Sequence, residues 1–130
     1  DGLINTSSIE NLDIITSGPV APNPAELLNS YRFQELLYGL HSLYNFIIID
    51  TPPVLGLSDT LIVSQSTDGV ILVVKSDATP KGAALEAKRL LEGVNAKILG
   101  VVLNSISQAA MKYGYSSYKY KYNSNNEDIQ

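Results

Sequence analysis

The sequence predicts an α/β fold with a mostly parallel sheet and helices on both of its faces, and two observations point to this fold. Three uninterrupted apolar runs of strand length occur at residues 46–49, 70–74 and 98–103. Segments whose apolar residues recur at helical spacing lie between these runs. Continuous apolar strands that alternate with helices are typical of parallel sheets buried on both faces.

Each element follows from a local signal. Asn23 followed by Pro24, and later Ser30, are residues that commonly begin helices. The turn pair Asp68-Gly69 separates a short helix from the next strand. In order, the pattern predicts a short strand near residues 12–15, a proline-rich loop at 19–24, helices at 24–28 and 31–43, a strand at 46–49, a helix at 60–64, a strand at 70–74, a helix at 83–92 and a strand at 97–103.

Composition excludes several classes of site. The chain has 130 residues, a net charge of −4, no cysteine and one histidine. Disulfides, thiolate metal sites, histidine-rich metal sites and a Ser-His-Asp triad are therefore not expected. No apolar run approaches the ~20 residues of a membrane span. The chain begins with Asp1 rather than Met, so we expect a processed product or a piece of a longer protein.

The sequence Asp50-Thr51-Pro52-Pro53 closes the first long apolar run and is the main candidate site. An acid at the carboxyl end of a buried strand lies where open α/β sheets bind ligands. The alternative is that Asp50 only caps the segment that follows. Right-handed crossovers place all strand ends on one edge, so we expect Lys75 and Asn104 to lie near Asp50.

Residues 105–130 differ in amino-acid composition from the rest of the chain. Five of the eight tyrosines, Tyr113, Tyr115, Tyr118, Tyr120 and Tyr122, fall within ten residues and are interleaved with lysine, glycine and serine. This composition predicts a flexible tail at residues 105–130 after a domain at 1–104. The tyrosines could accept phosphate, stack on single-stranded nucleic acid, or have no role; the acidic chain argues against nucleic acid.

Together these motifs resemble the C-terminal part of a bacterial tyrosine kinase domain, of the P-loop type found in capsular and exopolysaccharide biosynthesis. The resemblance lies in residues 18–28, which include Pro-Asn-Pro-Ala-Glu-Leu-Leu, and in residues 44–53, which end in Asp-Thr-Pro-Pro. Ser58-Asp59, residues 100–104 and the terminal tyrosines extend it over essentially the whole chain.

The resemblance implies roles for individual residues. Asp50 matches the Walker B aspartate, which serves catalysis and helps hold Mg²⁺, usually through water, in an ATP-dependent protein-tyrosine kinase. The resemblance also implies that Thr51, next to Asp50, helps to bind the cofactor. Asn104 matches an asparagine near the adenine of ATP. The five clustered tyrosines match an autophosphorylated tail that enters a neighbouring subunit's active site, which implies self-association.

Two motifs of the family are absent, the P-loop and the second aspartate-bearing motif that follows the P-loop strand, and both are expected before Asp1. No Gly-Lys-Ser or Gly-Lys-Thr occurs in the chain, so the P-loop that cradles the phosphates must come from an N-terminal segment of the same domain. We therefore expect the 130 residues to be inactive alone. The alternatives are a non-catalytic kinase remnant that is a phosphorylation target or docking module, and a fragment of a ParA- or MinD-like ATPase.

The resemblance also implies a cellular setting. In the family, the kinase works at the cytoplasmic face of the cell membrane with a transmembrane activator of polysaccharide export, which is either fused or separate. No nucleic-acid partner is expected.

Overall fold

The structure is a computed structural model that describes residues 2–107. The chain divides into two compact units, Asp1–Phe46 and Ile47–Gln130, and each is described by itself. The elements of the first unit are β1 (Asn5–Thr6), β2 (Asp13–Ile14), α1 (Pro24–Leu28) and α2 (Tyr31–His41). Those of the second unit are α3 (Asp59–Ser64), β3 (Val70–Lys75), α4 (Lys81–Gly93) and β4 (Ile98–Asn104).

In the first unit, β1 and β2 form a small antiparallel ladder in which Thr6 pairs with Asp13. The Ser7 hydroxyl accepts a hydrogen bond from the amide of Ile9 at 3.0 Å and so shapes the connection between the two strands. The strand expected near residues 12–15 is confirmed as β2. Its partner β1 was not expected, because a strand of two polar residues is too short to show a period.

Helices α1 and α2 meet at Ser30. The Ser30 hydroxyl accepts from the amide of Phe33 at 3.3 Å and donates to the carbonyl of Leu27 at 2.6 Å, so one side chain caps α2 and contacts the end of α1. This confirms the predicted cap. Asn23 precedes α1 as expected, but its side chain donates to the Glu26 carboxylate at 3.0 Å and makes no cap hydrogen bond to the backbone.

In the second unit, β3 and β4 pair in parallel, and α4 lies between them in the chain. The parallel pair and the intervening helix agree with the predicted α/β pattern. The most buried apolar side chains of this unit are Leu91, which is fully inaccessible to solvent, Ala87 and, from α3, Val63. Helix α4 contacts both α3 and β4, so the core of this unit lies between its helices and one face of the strand pair.

The other face of the strand pair is exposed within the described residues. Its five large apolar side chains are each between 52% and 62% exposed: Ile71, Val73, Leu99, Val101 and Leu103. The prediction that these strands are buried on both faces is therefore wrong for the second unit as described. An uninterrupted apolar run indicates that both faces require cover, but in this unit α4 covers only one.

The strand predicted at residues 46–49 does not form. These residues belong to neither sheet. Their exposure nevertheless alternates, since Phe46 and Ile48 are about nine-tenths exposed and Ile47 and Ile49 are less exposed. The alternation in exposure is that of an extended chain, but a strand also requires a neighbour for its backbone donors and acceptors. Within residues 2–107, the two sheets are the pairs β1–β2 and β3–β4, and neither includes this segment.

Candidate functional site

Asp50 lies in a segment without regular structure, ahead of α3, and its side chain is exposed. The expectation that it closes a hydrogen-bonded strand is wrong for the structure described, because the run before it has no pairing partner within residues 2–107. Among residues 2–107 the Asp50 carboxylate makes neither a hydrogen bond nor an ion pair. Its oxygens are therefore not occupied by a described side chain, as a carboxylate that receives a ligand requires.

The backbone immediately after Asp50 is anchored to α3. The hydroxyl of Thr60 donates to the carbonyl oxygen of Pro52 at 2.7 Å. Thr60 is buried, with only 5% of its surface exposed, although the segment it holds is at the surface. This contact was not foreseen from the sequence, since a threonine in the first turn of a helix gives no signal of a bond to a residue eight positions earlier.

The carboxyl ends of β3 and β4 bring two predicted groups together. Lys75 and Asn104 are register partners, and the amide of Ser76 donates to the Asn104 carbonyl at 2.8 Å. The expectation that these two residues lie at one sheet edge is confirmed. No hydrogen bond or ion pair within the described ranges joins Asp50 to either of them.

The turns that leave this edge are conformationally unusual. Asp77 follows β3 with a φ of 57°, and Ser105 follows β4 with a φ of 57°. The Asn104 side-chain oxygen accepts from the Ser105 amide at 2.7 Å and so stabilises the second turn. Left-handed backbone at a residue other than glycine is uncommon and occurs often near functional sites.

The side chains near Asp50 suit a magnesium ion better than a metal ion that is held entirely by several protein ligands. No cluster of three or more histidine, cysteine, aspartate or glutamate residues that could hold a metal ion occurs in the part of the chain that the structure describes. Mg²⁺ is usually held by one or two carboxylates together with water and substrate phosphates. A single exposed carboxylate on an anchored segment, as at Asp50, is compatible with that mode of binding.

The remaining predicted site residues divide into two groups. Thr51 is partly buried and lies between Asp50 and the anchored Pro52. The five clustered tyrosines, Tyr113, Tyr115, Tyr118, Tyr120 and Tyr122, lie outside the described residues, as does most of the predicted tail.

Comparison with known proteins gives consistent results. The chain is 40% identical over 113 residues to the tyrosine-protein kinase YwqD of Bacillus subtilis, an alignment that covers 86% of the chain and 48% of that protein. The crystal structure of the chimerical protein CapA2B2 superposes with a TM-score of 0.79 at 44% identity, over 82% of this chain and 47% of that one. No protein-family model matches the chain.

A third similarity is to a kinase domain of known structure. The kinase domain of the Escherichia coli tyrosine kinase ETK gives a TM-score of 0.71 at 34% identity, over 74% of this chain and 38% of that one. The chain is thus similar to bacterial tyrosine kinases along most of its own length. This similarity confirms the predicted resemblance, and the chain spans about half the length of YwqD and of the CapA2B2 chain.

None of the helices within residues 2–107 has both the length and the apolar character that crossing a membrane requires.

Proposed function

We propose that this chain is the C-terminal, Asp50-bearing part of an ATP- and magnesium-dependent protein-tyrosine kinase domain that regulates capsular or extracellular polysaccharide biosynthesis and export. The observation that carries the proposal is the similarity to YwqD along 86% of the chain. The exposed Asp50 carboxylate, on a backbone segment held by Thr60, supports it. The rest of the domain would supply the P-loop, since the chain contains no Gly-Lys-Ser or Gly-Lys-Thr.

In this proposal the residues of the chain position Mg²⁺ and ATP, and Asp50 supplies a negative charge for the metal ion. Mg²⁺, when bound, would neutralise the negative charge that develops on the transferred phosphoryl group. The Asp50 carboxylate would hold that ion, directly or through water, and Thr51 would lie beside it. Asn104, at the carboxyl edge of β4, would lie near the adenine of ATP.

The proposal extends to the tail and to the cellular setting. Residues 1–104 would belong to the folded kinase domain, and residues 105–130 would form a tail whose tyrosines, Tyr113, Tyr115, Tyr118, Tyr120 and Tyr122, accept phosphate. Each phosphate adds nearly two negative charges, so several at one interface would weaken self-association of the complete domain. The complete protein would act at the cytoplasmic face of the membrane with a transmembrane activator.

The test is an autophosphorylation assay on the complete domain, assembled with its P-loop-bearing part. Asp50→Asn keeps the shape of the side chain and removes its charge. We expect at least about a hundredfold loss of phosphate transfer to tyrosine, because a metal contact of this kind stabilises the transition state by several kcal/mol. Asp68→Asn, in an exposed turn before β3, is the matched control and should leave the rate unchanged.

Two outcomes would contradict the proposal. Asp50→Asn with full activity would mean that Asp50 does not serve phosphoryl transfer. A complete domain that accepts phosphate from another kinase but transfers none itself would favour the non-catalytic remnant.

A further inference from the structure

The Thr60 hydroxyl makes a bond that does not serve its own helix. Threonine hydroxyls within helices usually bond to a carbonyl three or four residues earlier. Thr60 instead donates to Pro52, eight residues earlier, at 2.7 Å. Ser64, at the end of the same helix, shows the ordinary pattern and donates to the Leu61 carbonyl, and Thr67, beyond the helix, likewise donates three residues back to the Ser64 carbonyl.

The bond is also not a helix cap. Ser58 is the N-cap residue of α3, and its side chain makes no cap hydrogen bond. Thr60 lies one residue into the helix and is 5% exposed, so its hydroxyl has little access to water. The bond therefore fixes the position of the Pro52 backbone relative to α3, rather than the start of α3.

The anchor restricts Asp50 because little free rotation separates the two. Pro52 and Pro53 have their φ angles fixed by their rings. Thr51 precedes a proline, which excludes most of the helical region for its backbone. Once the Pro52 carbonyl is held, the direction in which the chain passes through Thr51 to Asp50 has few alternatives.

We propose that Thr60 is a positioning residue for the magnesium and nucleotide site, acting through Pro52 to hold the Asp50 carboxylate where it meets the metal ion. This inference rests on the proposed role of Asp50. It adds that α3, through one buried hydroxyl, sets the geometry of a carboxylate to which Thr60 itself is not bonded.

The experiment compares three variants in the complete kinase domain. Thr60→Val removes the hydroxyl and keeps the shape of the side chain, whereas Thr60→Ser keeps the hydroxyl. Thr67→Val is the matched control, since it removes a threonine hydroxyl that also donates to a backbone carbonyl but not to Pro52. If Thr60→Val does not fold, Thr60→Ala removes the same hydroxyl without placing a methyl group against the Pro52 carbonyl.

Two quantities are measured. The first is the order parameter of the Asp50 and Thr51 amides from ¹⁵N relaxation, without nucleotide. We expect values typical of rigid backbone, about 0.85, in the parent protein and below about 0.6 in Thr60→Val. The second is the Mg²⁺ concentration for half-maximal ATP binding, which we expect Thr60→Val to raise about tenfold, because the Pro52 segment loses the hydrogen bond that holds it against α3. Thr60→Ser and Thr67→Val should match the parent protein in both.

Each contrary result has a definite meaning. Unchanged order parameters in Thr60→Val, or an equal change in Thr67→Val, would overturn the anchoring role. A fall in the order parameters with an unchanged Mg²⁺ midpoint would overturn the positioning role. Failure of the proposed function is distinguishable, because Asp50→Asn would then leave the Mg²⁺ midpoint unchanged whatever Thr60→Val does.

Discussion

The Tyr44 hydroxyl donates a 2.7 Å hydrogen bond to the Asp13 carboxylate, across 31 residues of sequence. It joins the chain that leaves α2 to β2, within the first unit of the structure. The bond to the carboxylate raises the pKa of Tyr44 above its ordinary value, with smaller contributions from burial and from the Asp13 charge. Tyr44 is partly buried and hydrogen-bonded to Asp13, whereas the side chains of Tyr31 and Tyr38 are exposed.

This bond predicts an alkaline limit to stability. A tyrosine whose pKa is higher in the folded state than in the unfolded state stabilises the fold fully below its unfolded pKa of about 10. That stabilisation is lost as the pH rises through the folded pKa. We expect Tyr44→Phe to remove this part of the pH dependence of the thermal unfolding midpoint above about pH 10.

Tyr38→Phe is the control for this measurement, because the Tyr38 side chain is exposed. It should leave the alkaline pH dependence of the parent protein unchanged. An alkaline profile for Tyr44→Phe that matches that of Tyr38→Phe would show that the Asp13 bond does not contribute to stability.

A side chain at position 69 should disturb the packing of Leu99 in the β3–β4 pair. A Cβ atom at this position would clash with the Leu99 side chain, chiefly with its Cγ atom. The Leu99 side chain is more than half exposed and can rotate away. We therefore expect Gly69→Ala to lower the free energy of unfolding by about 1 kcal/mol, at the lower end of overpacking effects. Urea unfolding measures this loss.

Gly100→Ala provides the comparison, because no atom lies within 4 Å of a Cβ at that position. We expect its effect to remain within about 0.5 kcal/mol, as for most surface substitutions. Truncation of the neighbour in Gly69→Ala/Leu99→Ala should recover the steric part of the loss. Equal losses for Gly69→Ala and Gly100→Ala would show that contact with Leu99 is not the cause.

The 130-residue chain by itself should not transfer phosphate. It contains neither a Gly-Lys-Ser nor a Gly-Lys-Thr sequence, and backbone amides of a P-loop are needed to hold the phosphates. Incubation with radiolabelled ATP and Mg²⁺ should label no tyrosine, whereas the complete domain under the same conditions should become labelled. Labelling of the isolated chain that disappears in Asp50→Ala would show that these residues form a working site without the P-loop.

Local signals in the sequence predicted part of this structure well. The Ser30 cap, β3, α4 and β4 could be predicted because each depends on nearby residues, namely a hydroxyl at a helix start or an apolar run between turn residues. The approach of Lys75 to Asn104 also followed, since parallel pairing places strand ends together.

The features that were missed depend on contacts that no local sequence pattern specifies. The apolar run at 46–49 satisfies every local condition for a strand, but pairing requires a second strand that residues 2–107 do not provide. The exposed face of the β3–β4 pair has the same origin, because burial on both faces requires a second covering layer. The bond from Thr60 to Pro52 depends on the path of the loop between them, which no pattern in the sequence specifies.

The most direct test of the central claim is calorimetric titration of the complete kinase domain with ATP, with Mg²⁺ and again with a chelator. We predict that Mg²⁺ strengthens ATP binding to the parent protein and that Asp50→Ala abolishes this gain while leaving the metal-free affinity unchanged. Asp50→Ala that binds ATP with the full Mg²⁺-dependent affinity would contradict the account, because Asp50 would then not hold the metal ion.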